Sequence, residues 1–221
     1  MMNVLALLAS TAFLAPMELT PTDDVWVYPH ASDAVSDPFL RTWGMGVSMP
    51  GSGDDEQNFS YSYLRFDLSG VSAMPIAKAT LVLTHIAKPS FTAENIKGMP
   101  IEVRKMNGTF DEKKWTYDML SKVRPVAGKE NVFGDLTPSA FPAEEPFKLE
   151  IDLMKGPGKF RDAFSAAKSA GFLNLALTSP IDPSELGNRA MYKVYSRNAE
   201  EKFRPKLVLT FVEMSRTLKQ P

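Results

Sequence analysis

Tyr61-Ser62-Tyr63-Leu64-Arg65-Phe66-Asp67-Leu68-Ser69-Gly70 alternates without a break. Leu64, Phe66 and Leu68 project to one side of an extended chain; Tyr63, Arg65 and Asp67 project to the other. Period two predicts a half-buried β-strand, with one face on a core and the other wet or covered by polar contacts. Upstream, Val25-Trp26-Val27-Tyr28 reads as an earlier strand. Residues 31–58 between them, with Pro38, Gly44, Gly46, Pro50, Gly51 and Gly53, read as a long irregular connection.

Downstream the same alternation recurs. Ala79 to Ile86 is rich in β-branched residues and reads as a strand, as does the shorter Ile101-Glu102-Val103-Arg104. Trp115-Thr116-Tyr117 is a weaker strand candidate, and the proline-bearing residues 118–146 read as a second excursion. Phe147 to Leu153 alternates cleanly until Gly156-Pro157-Gly158 breaks the pattern. Phe160, Ala163, Phe164 and Ala167 then fall at i, i+3, i+4 and i+7, which predicts an amphipathic helix over residues 159–170 with Gly171 as its C-terminal cap. Leu173, Leu175 and Leu177 mark the next strand; residues 191–197 and 206–212 supply two more around a turn at 198–203. Eight or nine alternating strands with one short helix predict an all-β, jelly-roll-like antiparallel β-sandwich. Its core is expected to hold Leu64, Phe66, Leu81, Leu83, Leu149, Ile151, Leu175 and Leu207.

The bulk composition suits that architecture. The chain has 221 residues, 44% of them hydrophobic, enough for one large β domain. Its net charge of −1 supplies no global field for nucleic acid, which is not an expected partner. Cysteine is absent, which excludes disulfides, thiolate metal sites and thiol nucleophiles together. Residues 1–15 read as an export signal, with apolar Val4 to Leu8 and Ala12 to Ala15 around small residues; a buried first strand or helix is the competing reading. No other apolar run reaches membrane length, so no integral membrane segment is expected. The polar tail 213–221 lies outside the expected domain.

The order of segments carries a resemblance. It runs from Tyr63-Leu64-Arg65-Phe66-Asp67-Leu68-Ser69 through Ala77-Lys78-Ala79-Thr80-Leu81-Val82-Leu83, a central Trp115-Thr116 and Ile151-Asp152-Leu153 ahead of a short helix. It closes with Tyr195-Ser196-Arg197-Asn198 and Arg204-Pro205-Lys206-Leu207-Val208-Leu209-Thr210-Phe211. Over residues 22–212 the chain resembles the DNRLRE-type domain, grouped with carbohydrate-binding module family 96. The resemblance implies a secreted or cell-envelope β-sandwich found beside polysaccharide lyases and cell-surface proteins, with polysaccharide, in some members acidic, as its partner.

The residues allow two readings of most candidate sites. Arg65, Arg104, Lys193, Tyr195 and Arg197 are expected to form a basic, aromatic strip on one outer face, if their strands share a sheet. There guanidinium groups would engage sugar carboxylates and rings would cover sugar faces. The alternative is that these side chains pair locally and serve the fold, Arg65 and Asp67 pairing with Arg197 or Arg204. Trp43, in a glycine-rich stretch, is a further ring candidate beside Tyr61, Tyr63, Tyr192 and Trp115, against the alternative that each fills the core. Asp54, Asp55 and Glu56 offer carboxylates for structural calcium or form a solvated acidic loop, and no other cofactor is expected. His30 and His85 have no metal-ligand spacing, and no Gly-x-Ser-x-Gly elbow or phosphate-cradling loop occurs, so no enzyme activity is expected. The expected function is non-catalytic binding of an acidic polysaccharide; the alternative is a structural or adhesive envelope module with no soluble glycan ligand.

Overall fold

The computed structural model describes residues 15–27, 35–44, 59–116, 119, 123–142, 144–182, 186 and 190–212. In chain order the strands are β1 (Met17–Leu19), β2 (Asp23–Val27), β3 (Phe39–Gly44), β4 (Phe59–Asp67), β5 (Ile76–His85), β6 (Ile101–Asn107), β7 (Arg124–Pro125), β8 (Val132–Leu136), β9 (Phe147–Asp152), β10 (Phe172–Thr178), β11 (Tyr192–Tyr195) and β12 (Lys206–Phe211). The helix α1 (Phe160–Ala170) lies between β9 and β10. Every pairing is antiparallel. The first sheet is built on β5, which carries β9 on one edge and β12 followed by β11 on the other. β1 lies beyond β12, and β3 lies beyond β11. The second sheet is built on β4, flanked by β2 and β10; β6 follows β10, and β7 and β8 pair with β6. β3 crosses between the sheets, pairing with β11 through Phe39 to Thr42 and with β4 through Trp43 and Gly44. The all-β sandwich with one short helix read from the sequence is the fold observed.

The core follows from the alternation. Leu64, Phe66, Leu81, Leu83, Leu149, Ile151, Leu175 and Leu207 are all buried in one cluster between the sheets. The other side of β4 differs from expectation. Tyr61 and Tyr63 join Val25, Val27, Met106, Phe110, Val123 and Ala176 in a second apolar cluster, with Trp115 and Phe59 packed against it. The outer face of the second sheet is therefore covered by apolar side chains from the segment after β6, where polar contacts or water were expected. The Tyr63 hydroxyl, buried there, donates to the Val123 carbonyl at 3.0 Å.

Three further expectations are corrected. The connection 31–58 contains β3, and the excursion 118–146 contains β7 and β8; Pro38, Gly44, Pro125 and Gly134 mask their alternation. Glu112–Lys114 forms a 3₁₀ turn, and Trp115 and Thr116 after it are not strand. Trp43 lies in β3 and is buried against Trp26, ring centroids 6.5 Å apart.

Glycine closes the sandwich at the β8–β9 edge. A Cβ on Gly134 would stand 2.4 Å from the Asp152 carbonyl oxygen, and one on Gly156 would stand 2.3 Å from the Val132 carbonyl oxygen. The amides of Gly156 and Gly158 donate to the carbonyls of Phe133 and Val132, both at 2.8 Å. The Gly156-Pro157-Gly158 breaker is thus a close backbone approach as well as a turn. Beyond it α1 plugs the open edge with Phe160 and Phe164 and ends at Gly171 in the left-handed region, φ 84°.

Leu64→Ala is expected to cost about 2–5 kcal/mol, through lost transfer energy and an unfilled cavity. Gly156→Ala is expected to cost about 1–3 kcal/mol, because the backbone of β8 has to retreat from the new methyl group. Urea melts check both; a loss under about 1 kcal/mol for Leu64→Ala would place that face outside the core.

Candidate functional site: the open face of the first sheet

The structure distributes the expected strip over three places. Arg65 and Arg104 belong to the second sheet, whereas Lys193 and Tyr195 belong to β11 of the first. Alternation fixes the side of its own strand that a residue takes; the sheet in which that strand pairs is a separate, long-range matter. Arg65 donates to the Phe110 carbonyl at 3.0 Å and lies over the Phe172 ring at 3.8 Å. Asp67 accepts from the Ser69 amide, so the expected pairing of these two with Arg197 or Arg204 does not form. Arg104 is buried, contacting Glu102 and Thr178 and donating to the Val126 and Gly128 carbonyls.

Arg197 makes the joint between the sheets. Its guanidinium grips both oxygens of buried Glu112, one through Nε at 2.8 Å and the other through Nη2. Its backbone amide donates to Asp24 Oδ2 at 2.7 Å, and the Asp24 amide donates to Glu112 Oε2 at 2.9 Å. Asp24 is 1% exposed, and its Oδ1 has no hydrogen-bond partner among the described residues. Burial pushes its carboxyl up to about 7, against the opposing pull of Arg197.

His85 is the second buried titratable joint, where β5 meets β11. Its Nε2 accepts from the Lys193 amide at 3.1 Å, which leaves the proton on Nδ1 to be donated to the Ile86 carbonyl at 2.9 Å. The ring stacks on Phe147 and meets the edges of Phe91 and Tyr192. Burial holds the imidazole down at about 4, so it is neutral at physiological pH.

The face left open is the outer side of the first sheet. Outward residues form cross-strand rows: Lys148 opposite Thr84; Glu150, Val82 and Lys206; Asp152, Thr80 and Val208; Lys78 opposite Thr210. A shallow groove of about 260 Å³ runs over them, lined by Lys78, Lys148, Lys202, Arg204 and Lys206 with only Glu18 and Glu150 as acids. Lys206 pairs with Glu18 at 2.7 Å and Lys202 with Glu200 at 3.0 Å. Lys78 and Lys148 have no ion-pair partner among the described residues. Lys193 and Tyr195 lie on the same face through the pairing of Val194 with core-facing His85. Lys148 is absent from the sequence-read ligand candidates, although its outward position between Phe147 and Leu149 was visible there, and Arg204 enters that reading only as a structural pairing partner. A larger recess of about 700 Å³ between α1 and the ends of β6 and β10 has a balanced charged lining, Lys105 and Lys159 against Glu130 and Asp162.

Among the described residues no three His, Asp or Glu side chains converge to hold a metal ion. The acidic run Asp54-Asp55-Glu56, His30, residues 1–14 of the expected export signal and the tail 213–221 lie outside the described residues. No helix among the described residues is long and apolar enough to cross a membrane. No protein-family model matches the chain, and no curated protein matches it at significant similarity.

The two buried groups oppose each other in pH. A carboxyl raised from 3.8 to about 7 on folding gives stability that is complete below the lower value and lost as pH rises through the upper one. An imidazole lowered from 6.5 to about 4 gives stability that is complete above 6.5 and lost as pH falls toward 4. Between about 4 and 6.5 the two slopes cancel, so thermal stability is expected to be nearly flat there. Asp24→Asn should unmask the imidazole: stability falls by roughly 3 kcal/mol between pH 6.5 and 4. His85→Gln should unmask the carboxyl, with stability falling as pH rises from 4 to 7. Urea melts across that range check both signs; identical profiles for the two variants would refute the assignment.

Proposed function

We propose that this protein is a non-catalytic module that binds an acidic polysaccharide through the open face of its first sheet, in a secreted or cell-envelope setting. One observation carries the reading: of the two outer sheet faces, one is sealed under an apolar cluster and the other bears a groove with five cations against two acids. Flat sheet faces suit extended chains, and threonine hydroxyls at 80 and 84 supply hydrogen-bonding groups between the cations. The resemblance to the DNRLRE-type domain implies the same partner class. The Lys206–Glu18 and Lys202–Glu200 pairs favour a second reading, a structural or adhesive module whose surface charges only keep the sheet soluble.

Titration of acidic and neutral oligosaccharides into the mature domain at low and high salt separates the two. Affinity for the acidic chain is expected in the micromolar to millimolar range, about −4 to −8 kcal/mol, as for a shallow site. It is expected to fall as salt screens the charges. A folded Lys148→Gln, Arg204→Gln double variant should bind at least about tenfold more weakly, each charge-assisted contact contributing roughly 1.5 kcal/mol or more. Equal affinity for neutral and acidic chains, or a double variant as tight as the parent, would remove this face from consideration.

A further inference from the structure

Beside the groove the same sheet face carries three packed rings with a cation over the first and another over the last. The Lys193 ammonium lies 4.1 Å from the centroid of Phe39. Phe39 packs on Tyr195 with centroids 5.1 Å apart, and Tyr195 stacks on Phe203 at 4.5 Å with only 17° between the planes. The Lys202 ammonium closes the series 4.7 Å from the Phe203 centroid. Phe39 comes from β3, Lys193 and Tyr195 from β11, and Lys202 and Phe203 from the turn that leads into β12. Tyr195 already packs against two rings, one of them stacked, so it is a supporting ring rather than the open platform for a sugar ring that its type and outward position suggest.

The rings serve the lysines instead. A lysine side chain over an aromatic face is attracted by the ring quadrupole and loses part of its rotamer freedom before any ligand arrives. Lys193 is half-buried, and Arg41, opposite it on β3, adds a cation whose charge is taken up by Asp37. Lys202 also lines the groove with Lys148, Arg204 and Lys206. One ammonium thus lies over Phe39 and the other over Phe203, the two rings that pack against Tyr195, and the second lysine also lines the cationic groove.

From this we propose that the stack extends the groove into one track for a polyanionic glycan, with Lys193 binding a charged unit several sugars away from the one held at Lys202 and Arg204. The proposal rests on the acidic-polysaccharide reading and adds to it a minimum chain length and a recognition mode. Anionic groups at spaced intervals are read by fixed cations, and no sugar face is stacked on Tyr195. Once one end of a chain is held, the second contact is intramolecular, so affinity rises steeply when the chain becomes long enough to reach both ends.

The test uses linear oligouronides of two, four and eight units, titrated calorimetrically into the parent, Lys193→Gln, Phe39→Leu and Lys148→Gln. In the parent the eight-unit chain is expected to bind at least about tenfold tighter than the two-unit chain. Lys193→Gln should lose most of that gain yet hold the two-unit chain within about twofold of the parent, because the groove is intact. Phe39→Leu keeps the charge but removes its ring support, and should lose part of the gain in the same way. Lys148→Gln should weaken every length alike. Circular dichroism confirms the fold of each variant, and Phe39→Leu carries the test if Lys193→Gln is unstable. A length gain that survives in Lys193→Gln, or no length gain in the parent, overturns the track while leaving the acidic-glycan reading standing. Failure of the parent to bind any oligouronide removes both, and equal binding of a single-stranded oligonucleotide of eight phosphates overturns the glycan class.

Discussion

Strand β4 is buried on both sides, and the rest of the sandwich is arranged around that condition. Leu64 and Phe66 need the first sheet against them, which brings Leu81, Leu83, Leu149 and Ile151 into register across the core. Tyr61 and Tyr63 need cover on the other side, which the segment carrying Phe110, Trp115 and Val123 supplies. A tyrosine can be buried there because its hydroxyl reaches a carbonyl, so the apolar body is removed from water without leaving a polar atom unpaired. Covering one outer face leaves the other as the only broad sheet surface among the described residues.

The same covering segment brings charge into the interior. Glu112 arrives beneath the cover and would be a heavy penalty alone; Arg197 meets it with two hydrogen bonds, and the Asp24 amide adds a third. Such a network is weak evidence for net stability but strong evidence for register. It joins β2, the end of β11 and the covering turn at one point, and slipping any of them by one residue would strand a buried charge. Asp24 is the most deeply buried carboxyl of this joint, and burial is why it resists ionisation. His85 performs a related task in neutral form: its Nε2 accepts from the Lys193 amide of β11, while its Nδ1 is held locally by the carbonyl of the next residue, Ile86.

Aromatic residues on this molecule act mostly as supports. Trp43 packs on Trp26 in the core, Trp115 seals the outer cluster, and Phe39 and Phe203 both pack on Tyr195 at the surface. Cations sit over ring faces at Trp26, Phe172, Phe39 and Phe203. The proposed recognition of anionic glycans by fixed cations, with rings behind them, is consistent with this use of aromatic surface throughout the fold.

The sequence by itself determined the fold class, most strand positions, the helix with its glycine cap and the eight core residues, because period two and period 3.6 are local consequences of backbone geometry. It also placed Lys193 and Tyr195 on an outward face. It did not disclose β1, β3, β7 or β8, short runs punctuated or flanked by proline and by glycines such as Gly134, required only once a neighbouring backbone comes near. Nor could it say that Arg65 would lie over Phe172 and bond the Phe110 carbonyl, that Arg104 would be buried, that Arg197 would face Glu112, or that Trp43 would be core. Those outcomes depend on which strand lies beside which and which sheet face is covered. Alternation along a strand is decided within a few residues, whereas pairing between strands is decided by contacts such as Arg197 with Glu112, 85 residues apart in the chain.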